Sequence, residues 1–202
     1  MFISTCLFFL SIGSGLANNI PRVAIAHLST ANVSGSVMFT ETSEGVRVTG
    51  YVTGMEPGFY GFHIHELGNV DTCIDAAAHF NPEGVNHGGR DHAVRHVGDL
   101  GNLEFKVNEQ TSIINFTDSV IALRGSNNIL GRSVMLHAER DDYGLGGHET
   151  SLTTGNAGAR VACAVIGMHA PVEAWTNSSV NVMPSTLLLV FFALVSSFTY
   201  QN

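Results

Sequence analysis

Ten histidines stand in a chain of 202 residues, and six of them gather in clusters beside one aspartate. His63 and His65 flank Ile64, and a spacing of two along an extended chain puts both rings on one face. His137 lies in another apolar run, next to Met135 and Leu136. Three imidazoles converging from a rigid sheet make a nitrogen site of the kind that Cu(II) takes in tetragonal geometry. The stretch 67–98 supplies His79, His87 and His96, and Asp99 follows directly. Three imidazoles and a carboxylate are a closed tetrahedral set for zinc. Gly84, Gly88, Gly89 and Gly98 let the backbone turn tightly enough to gather them. A lone histidine is more often an ordinary core or surface residue, and His27, His92, His148 and His169 are read that way. The clustered six are not, because of their spacing and the carboxylate close by.

Short extended segments must position these side chains. Period-two alternation runs through 22–28, 33–40, 46–52, 60–66, 103–107, 112–118, 132–138 and 161–166, and predicts eight strands. Gly, Pro and Asn punctuate them, as at 54–58 and 125–128, and no stretch carries a helical period. Many short strands with turn signals predict an all-β sandwich or barrel. Two segments, 67–98 and 139–159, break the alternation. Loops of that length without strands are functional or disordered, and these are rich in His, Asp, Gly and Arg.

The net charge is −8, with every charged side chain between Arg22 and Glu173. That acidity argues against nucleic acid, which needs a basic face. Residues 1–17 carry an apolar core and close on Gly15-Leu16-Ala17, which predicts a secretory signal and a mature chain beginning near Asn18. Removing it takes Cys6 and leaves Cys73 and Cys163, two cysteines that an oxidising compartment would join. Sequons at Asn32, Asn115 and Asn177 fit an exported chain. Asn177-Ser178-Ser179, a short spacer and the apolar block 187–198 follow the order of a glycolipid-anchor signal. The block is shorter than the roughly 20 apolar residues of a membrane-spanning helix. The expected layout is thus a signal at 1–17, a domain with a short stalk at 18–177 and a removed tail at 178–202. The product would be secreted and tethered to the outer face of the plasma membrane, with a short membrane anchor or plain secretion as alternatives.

Several stretches resemble one family, the Cu/Zn superoxide dismutases: Gly61-Phe62-His63-Ile64-His65-Glu66, His79-Phe80-Asn81-Pro82, His87-Gly88-Gly89, Arg95-His96-Val97-Gly98-Asp99-Leu100-Gly101-Asn102 and Gly155-Asn156-Ala157-Gly158. The match runs over 23–167. The resemblance implies an eight-stranded Greek-key barrel or sandwich with two long functional loops. It implies an enzyme that turns superoxide into dioxygen and hydrogen peroxide with copper and zinc as cofactors. Copper would be held by His63, His65, His79 and His137, and zinc by His79, His87, His96 and Asp99, with the His79 ring shared as an imidazolate that takes up a proton during turnover. Asp141 would join His63 to His87, Arg160 would bind the anion over the copper, and Cys73 would pair with Cys163. A homodimer is common in the family, and apolar Leu67, Leu130 and Ile166 permit one.

The chain also departs from the family pattern. The segment between His65 and Cys73 is one residue shorter than usual. Where the family's second loop carries two acids and a lysine that guide substrate, only Glu149 remains, with Thr150 and Thr153 in the other places. Thr154 matches the threonine of the channel wall. Two rival readings are a metal-delivery domain and an adhesion sandwich with a vestigial site. The complete ligand set with Arg160 and Asp141, and the absence of a Cys-rich delivery motif, oppose both.

Overall fold

A computed structural model describes residues 20–176, and in it alternating burial folds the chain into two facing antiparallel sheets. The first contains β1 (Val23–Ser29), β2 (Ser34–Thr42), β3 (Gly45–Thr53), β6 (Thr111–Asp118) and β9 (Gly167–Met168), in the order β6-β3-β2-β1-β9. The second contains β4 (Gly58–His65), β5 (Asp99–Phe105), β7 (Ser133–His137) and β8 (Arg160–Val165), in the order β5-β4-β7-β8. Val37, Phe39, Val48 and Val52 from the first sheet meet Phe62, Ile64, Leu136 and Ala162 from the second in one apolar core.

The two sheets pack as a sandwich, and their ladders do not close into a continuous barrel. The eight expected strands are present within a few residues of their predicted bounds. The ninth, β9, is two residues long and pairs with Ala24 and Ile25. Single helical turns at Cys73–Ala76, Ser151–Thr154 and Glu173–Thr176 are too short to leave a period in the sequence. Among the described residues no helix is long and apolar enough to cross a membrane.

The alternation also decides which side of the second sheet does chemistry. Phe62 and Ile64 enter the core, so His63 and His65 project from the opposite face of β4. On β7, Val134 and Leu136 enter the core, and Met135 and His137 project outward. Yet β7 is buried at all five positions, because the two long loops fold over that outer face. Register shifts at Gly61/His63 and at Leu136/His137 re-aim the strands beside the histidines.

Two links pin the first long loop down. Cys73, at the start of its helical turn, is joined to Cys163 on β8, with Cα atoms 5.7 Å apart. Arg95 grips both carboxylate oxygens of Asp118 at 2.8 and 2.7 Å in the interior. A buried charge is tolerated when it is paired and hydrogen-bonded in this way. Ile166 lies in the core, so of the three apolar residues noted above Leu67 is the one that offers an exposed surface.

Candidate metal centre

The sheet and the first loop bring His63, His65, His79 and His137 together, each with one ring nitrogen within 4.8 Å of the others, and all four are buried. Hydrogen bonds to the remaining nitrogens settle which carry protons, since a carbonyl or carboxylate can only accept. Nδ1 of His65 donates to Ala77 O at 2.9 Å, and Nδ1 of His137 to Gly158 O at 3.3 Å. Burial pushes both rings far below the usual imidazole range, His65 to about 3 and His137 to about 2, so both are neutral at pH 7. Their Nε2 lone pairs therefore face each other at 3.3 Å with no proton to share. Nε2 of His63 donates to Asp141 Oδ2 at 2.9 Å, which leaves its buried Nδ1 without a partner. Nε2 of His79 is also buried and unpartnered. Four converging lone pairs cost free energy unless a cation accepts them.

A second buried set adjoins the first and shares a ring with it: His79, His87, His96 and Asp99. Asp99 Oδ1 lies 2.9, 3.0 and 3.1 Å from Nδ1 of His79, His87 and His96. Its Oδ2 accepts the Gly88 and His96 backbone N–H groups at 3.0 and 2.8 Å. Nε2 of His96 donates to Val85 O at 3.1 Å, and its Nδ1 faces Asp99 Oδ1 at 3.1 Å. Burial disfavours charge on His87, but hydrogen bonds and the charges of Asp141 and Asp99 outweigh it and raise the ring to about 9. Its Nδ1 stands 3.0 Å from Asp99 without hydrogen-bond alignment. In metal-free protein a proton supplies the positive charge that this cluster needs. The donor set, three imidazoles and one carboxylate, suits a tetrahedral divalent ion in the same place.

Asp141 couples the two sets. Its Oδ2 takes the His63 proton, and its Oδ1 takes the His87 Nε2 proton at 2.8 Å and the Tyr143 N–H at 2.7 Å. Burial opposes its charge, and the hydrogen bonds from His63 and His87 hold it below the usual carboxylate range all the same. Tyr143 adopts φ 60° to present that N–H, an uncommon conformation for a residue with a side chain. Asn102 then clamps the Asp141 backbone from both sides, donating to its O at 2.9 Å and accepting from its N–H at 2.8 Å. Neither Tyr143 nor Asn102 was expected as a supporting residue. A polar Asn in β5 next to Gly101 was the available signal.

Arg160, at the start of β8, reaches back to the loop. Its Nη1 donates to Cys73 O at 2.7 Å and Ile74 O at 2.8 Å, and its Nη2 to Ala77 O. The second loop is tied by Ser151 Oγ to Asp142 Oδ2 at 2.5 Å, and it places Glu149 and Thr154 at the surface. Thr154 Oγ1 donates to Thr150 O at 3.3 Å. His27, His92, His148 and His169 are exposed and stand outside the two clusters, as expected. Asn32 and Asn115 are exposed; Asn177 lies outside the described residues.

A two-sheet sandwich that carries adjoining histidine and carboxylate sets under two long loops defines a β-sheet metalloprotein with a two-ion site. Comparison with known proteins says which one. The family model for copper/zinc superoxide dismutase (SODC) matches residues 33–166. The chain is 50% identical over 149 residues to a Cu-Zn superoxide dismutase of Paramecium bursaria Chlorella virus 1, over 73% of this chain and 79% of the viral one. It is also similar to a crystal structure of the clock protein EA4, with a TM-score of 0.72 and 47% identity over 74% of this chain and 96% of that one. The chain belongs to the copper/zinc superoxide dismutase family, and it is an oxidoreductase acting on superoxide with copper and zinc as cofactors.

Proposed function

We propose that His63, His65, His79 and His137 hold the copper, that His79, His87, His96 and Asp99 hold the zinc, and that the enzyme dismutates superoxide outside the cell. One observation carries the assignment: the His79 ring gives Nε2 to the first set and Nδ1 to the second. A single ring can serve two cations only by losing both protons, which two positive charges make feasible near neutral pH.

When bound, copper supplies a one-electron couple that oxidises one superoxide and reduces the next, and zinc supplies a fixed charge without redox chemistry. The residues of the chain do the rest. His79 Nε2 is the proton carrier: it is buried, it has no other partner, and Asp99 fixes the ring from the far side. Overall two superoxides and two protons give one dioxygen and one hydrogen peroxide. One of those protons passes through His79 and the other comes from water. Arg160 attracts the anion, and three backbone carbonyls keep its guanidinium in place without neutralising it. Asp141 orients His63 and His87 through their protonated nitrogens, which fixes the tautomer of each ring.

Export rests on the signal at 1–17, the tail from 178 and the Cys73–Cys163 bond, which belongs in an oxidising compartment. The last described segment is held against the domain as far as Trp175. Trp175 Nε1 donates to His169 O at 2.6 Å, and Arg22 Nε donates to Ala174 O at 3.1 Å. A glycolipid at the end of so short a stalk would hold the enzyme close to the membrane. Release from cells by a phosphatidylinositol-specific phospholipase, with a mature N-terminus near Asn18, tests this. Intact 187–198 in the mature chain rules the lipid out. A homodimer through the exposed Leu67 belongs to the same reading, and sedimentation decides it.

A further inference from the structure

The sequon Asn115-Phe116-Thr117 sits in the middle of β6, and the metal chemistry makes no use of it. Alternation buries Ser112, Ile114 and Asp118 and turns Ile113, Asn115 and Thr117 to the outer face. β6 is an edge strand of the five-stranded sheet, and it pairs Ile113 with Tyr51 and Asn115 with Thr49 on β3. Tyr51 is 46% exposed and Ile113 72%, so an aromatic and an aliphatic side chain stand side by side in water. Asn115 is diagonal to Tyr51, at the roughly 7–8 Å separation typical of diagonal neighbours on a sheet. Arg47 Nη2 donates to Asn115 Oδ1 at 3.0 Å. That contact engages the oxygen of the amide and not its nitrogen, the atom to which a sugar is joined.

We propose that Asn115 carries an N-linked glycan whose first sugars lie over Tyr51 and Ile113 and keep this apolar patch of the outer sheet face from associating with other chains. The inference rests on export of the chain. The donor is an oligosaccharide on a lipid pyrophosphate. Asn115 Nδ2 bonds to the anomeric carbon and gives up a proton, and the lipid pyrophosphate leaves. Adjoining exposed apolar side chains offer a surface for association, and a bulky hydrophilic group laid over them blocks approach. The C–H faces of a sugar have a flat aromatic partner in Tyr51. Arg47 holds the amide so that the glycan leaves the sheet in one direction.

The full chain should be secreted from a eukaryotic host and its peptides mapped after a glycosidase that converts occupied Asn to Asp. Conversion at Asn115, and loss of one mobility step in Thr117→Ala, is the expected result. A bare Asn115 overturns the proposal, and Asn32 in the β1–β2 turn shows how far the failure reaches. If Asn32 is converted, the chain met the glycosylation machinery and only the Asn115 glycan is lost; if no chain with an N-terminus near Asn18 reaches the medium, the export reading falls with it. Stripping the glycan from the folded protein should then produce larger sedimenting species, and Tyr51→Ser with Ile113→Ser should prevent them. The dismutation rate per bound copper stays unchanged throughout. Stripped protein that sediments as the glycosylated protein does overturns the shielding role.

Discussion

His65 and Arg160 donate to the same acceptor: the Ala77 carbonyl takes the His65 Nδ1 proton at 2.9 Å and an Nη2 proton of Arg160. A metal-site ring and the anion-attracting side chain are therefore set by one peptide group. That group closes the helical turn that begins at Cys73, which is bonded to Cys163 three residues along β8 from Arg160. Disulfide, turn, arginine and imidazole form one mechanical unit, which under the proposed assignment holds a positive charge beside the copper ligands.

Arg160→Ile removes the charge and leaves every histidine and aspartate of the two sets in place. The dismutation rate should fall on the order of 10-fold or more, since focused charge of this kind raises encounter rates by about 10 to 10³-fold. Copper and zinc content, measured by elemental analysis, should not change.

Asp141→Ala leaves the protonated nitrogens of His63 and His87 without their acceptor. Loss of such a support costs about 10–100-fold in metal affinity. Competition titration with a chelator should show the loss for zinc first, because Asp141 is among the groups that keep His87 in register with Asp99. Unchanged zinc affinity would remove Asp141 from the account.

Zinc uptake should release a proton from His87. The ring is raised to about 9 in the metal-free protein, so it is charged at pH 7, and a metal can bind Nδ1 only after that proton leaves. Zinc affinity should thus fall as pH drops below about 9, by up to about tenfold per pH unit from this group alone. The sign reverses for metal-free stability. A raised folded-state value stabilises fully below the unfolded value near 6.5, and that contribution is lost as pH rises through about 9. Calorimetry in buffers of different ionisation enthalpy counts the proton. Zero release at pH 7 contradicts the assignment.

Thr153 is exposed on the single helical turn of the second loop, where the family pattern has a lysine. The loop's net charge is the same as in that pattern, two acids and a lysine giving way to one acid, so the distant field is kept and the near guide is missing. Thr153→Lys should raise the rate at low salt. The gain should shrink toward about 0.15 M, where charges are screened over about 8 Å. A rate that does not respond at low salt removes this loop from steering.

Most of the fold was legible because period two is a strong signal when one face of a strand is packed. β7 is the instructive case, since its apolar run looks the same whether loops or solvent cover the outer side, and only the structure shows all five positions buried. The two clusters of histidines and Asp99 were legible in side chains alone. What holds them was not: the carbonyls of Ala77, Val85 and Gly158 belong to the backbone and carry no residue signature. Tyr143 escaped for a related reason, because it contributes its N–H through a positive φ while its side-chain type says nothing of either. β9 and the three helical turns escaped because they are shorter than the periods that would reveal them.

The account stands or falls on His79 joining two ions. The mature protein should be stripped, reloaded with copper and zinc, counted by elemental analysis and assayed for superoxide dismutation in the same sample. One copper and one zinc per chain, with His79→Ala losing the coupling between them and nearly all activity, is the result expected. A protein that holds copper but no zinc, or that keeps both metals and dismutates at the parent rate without His79, contradicts it.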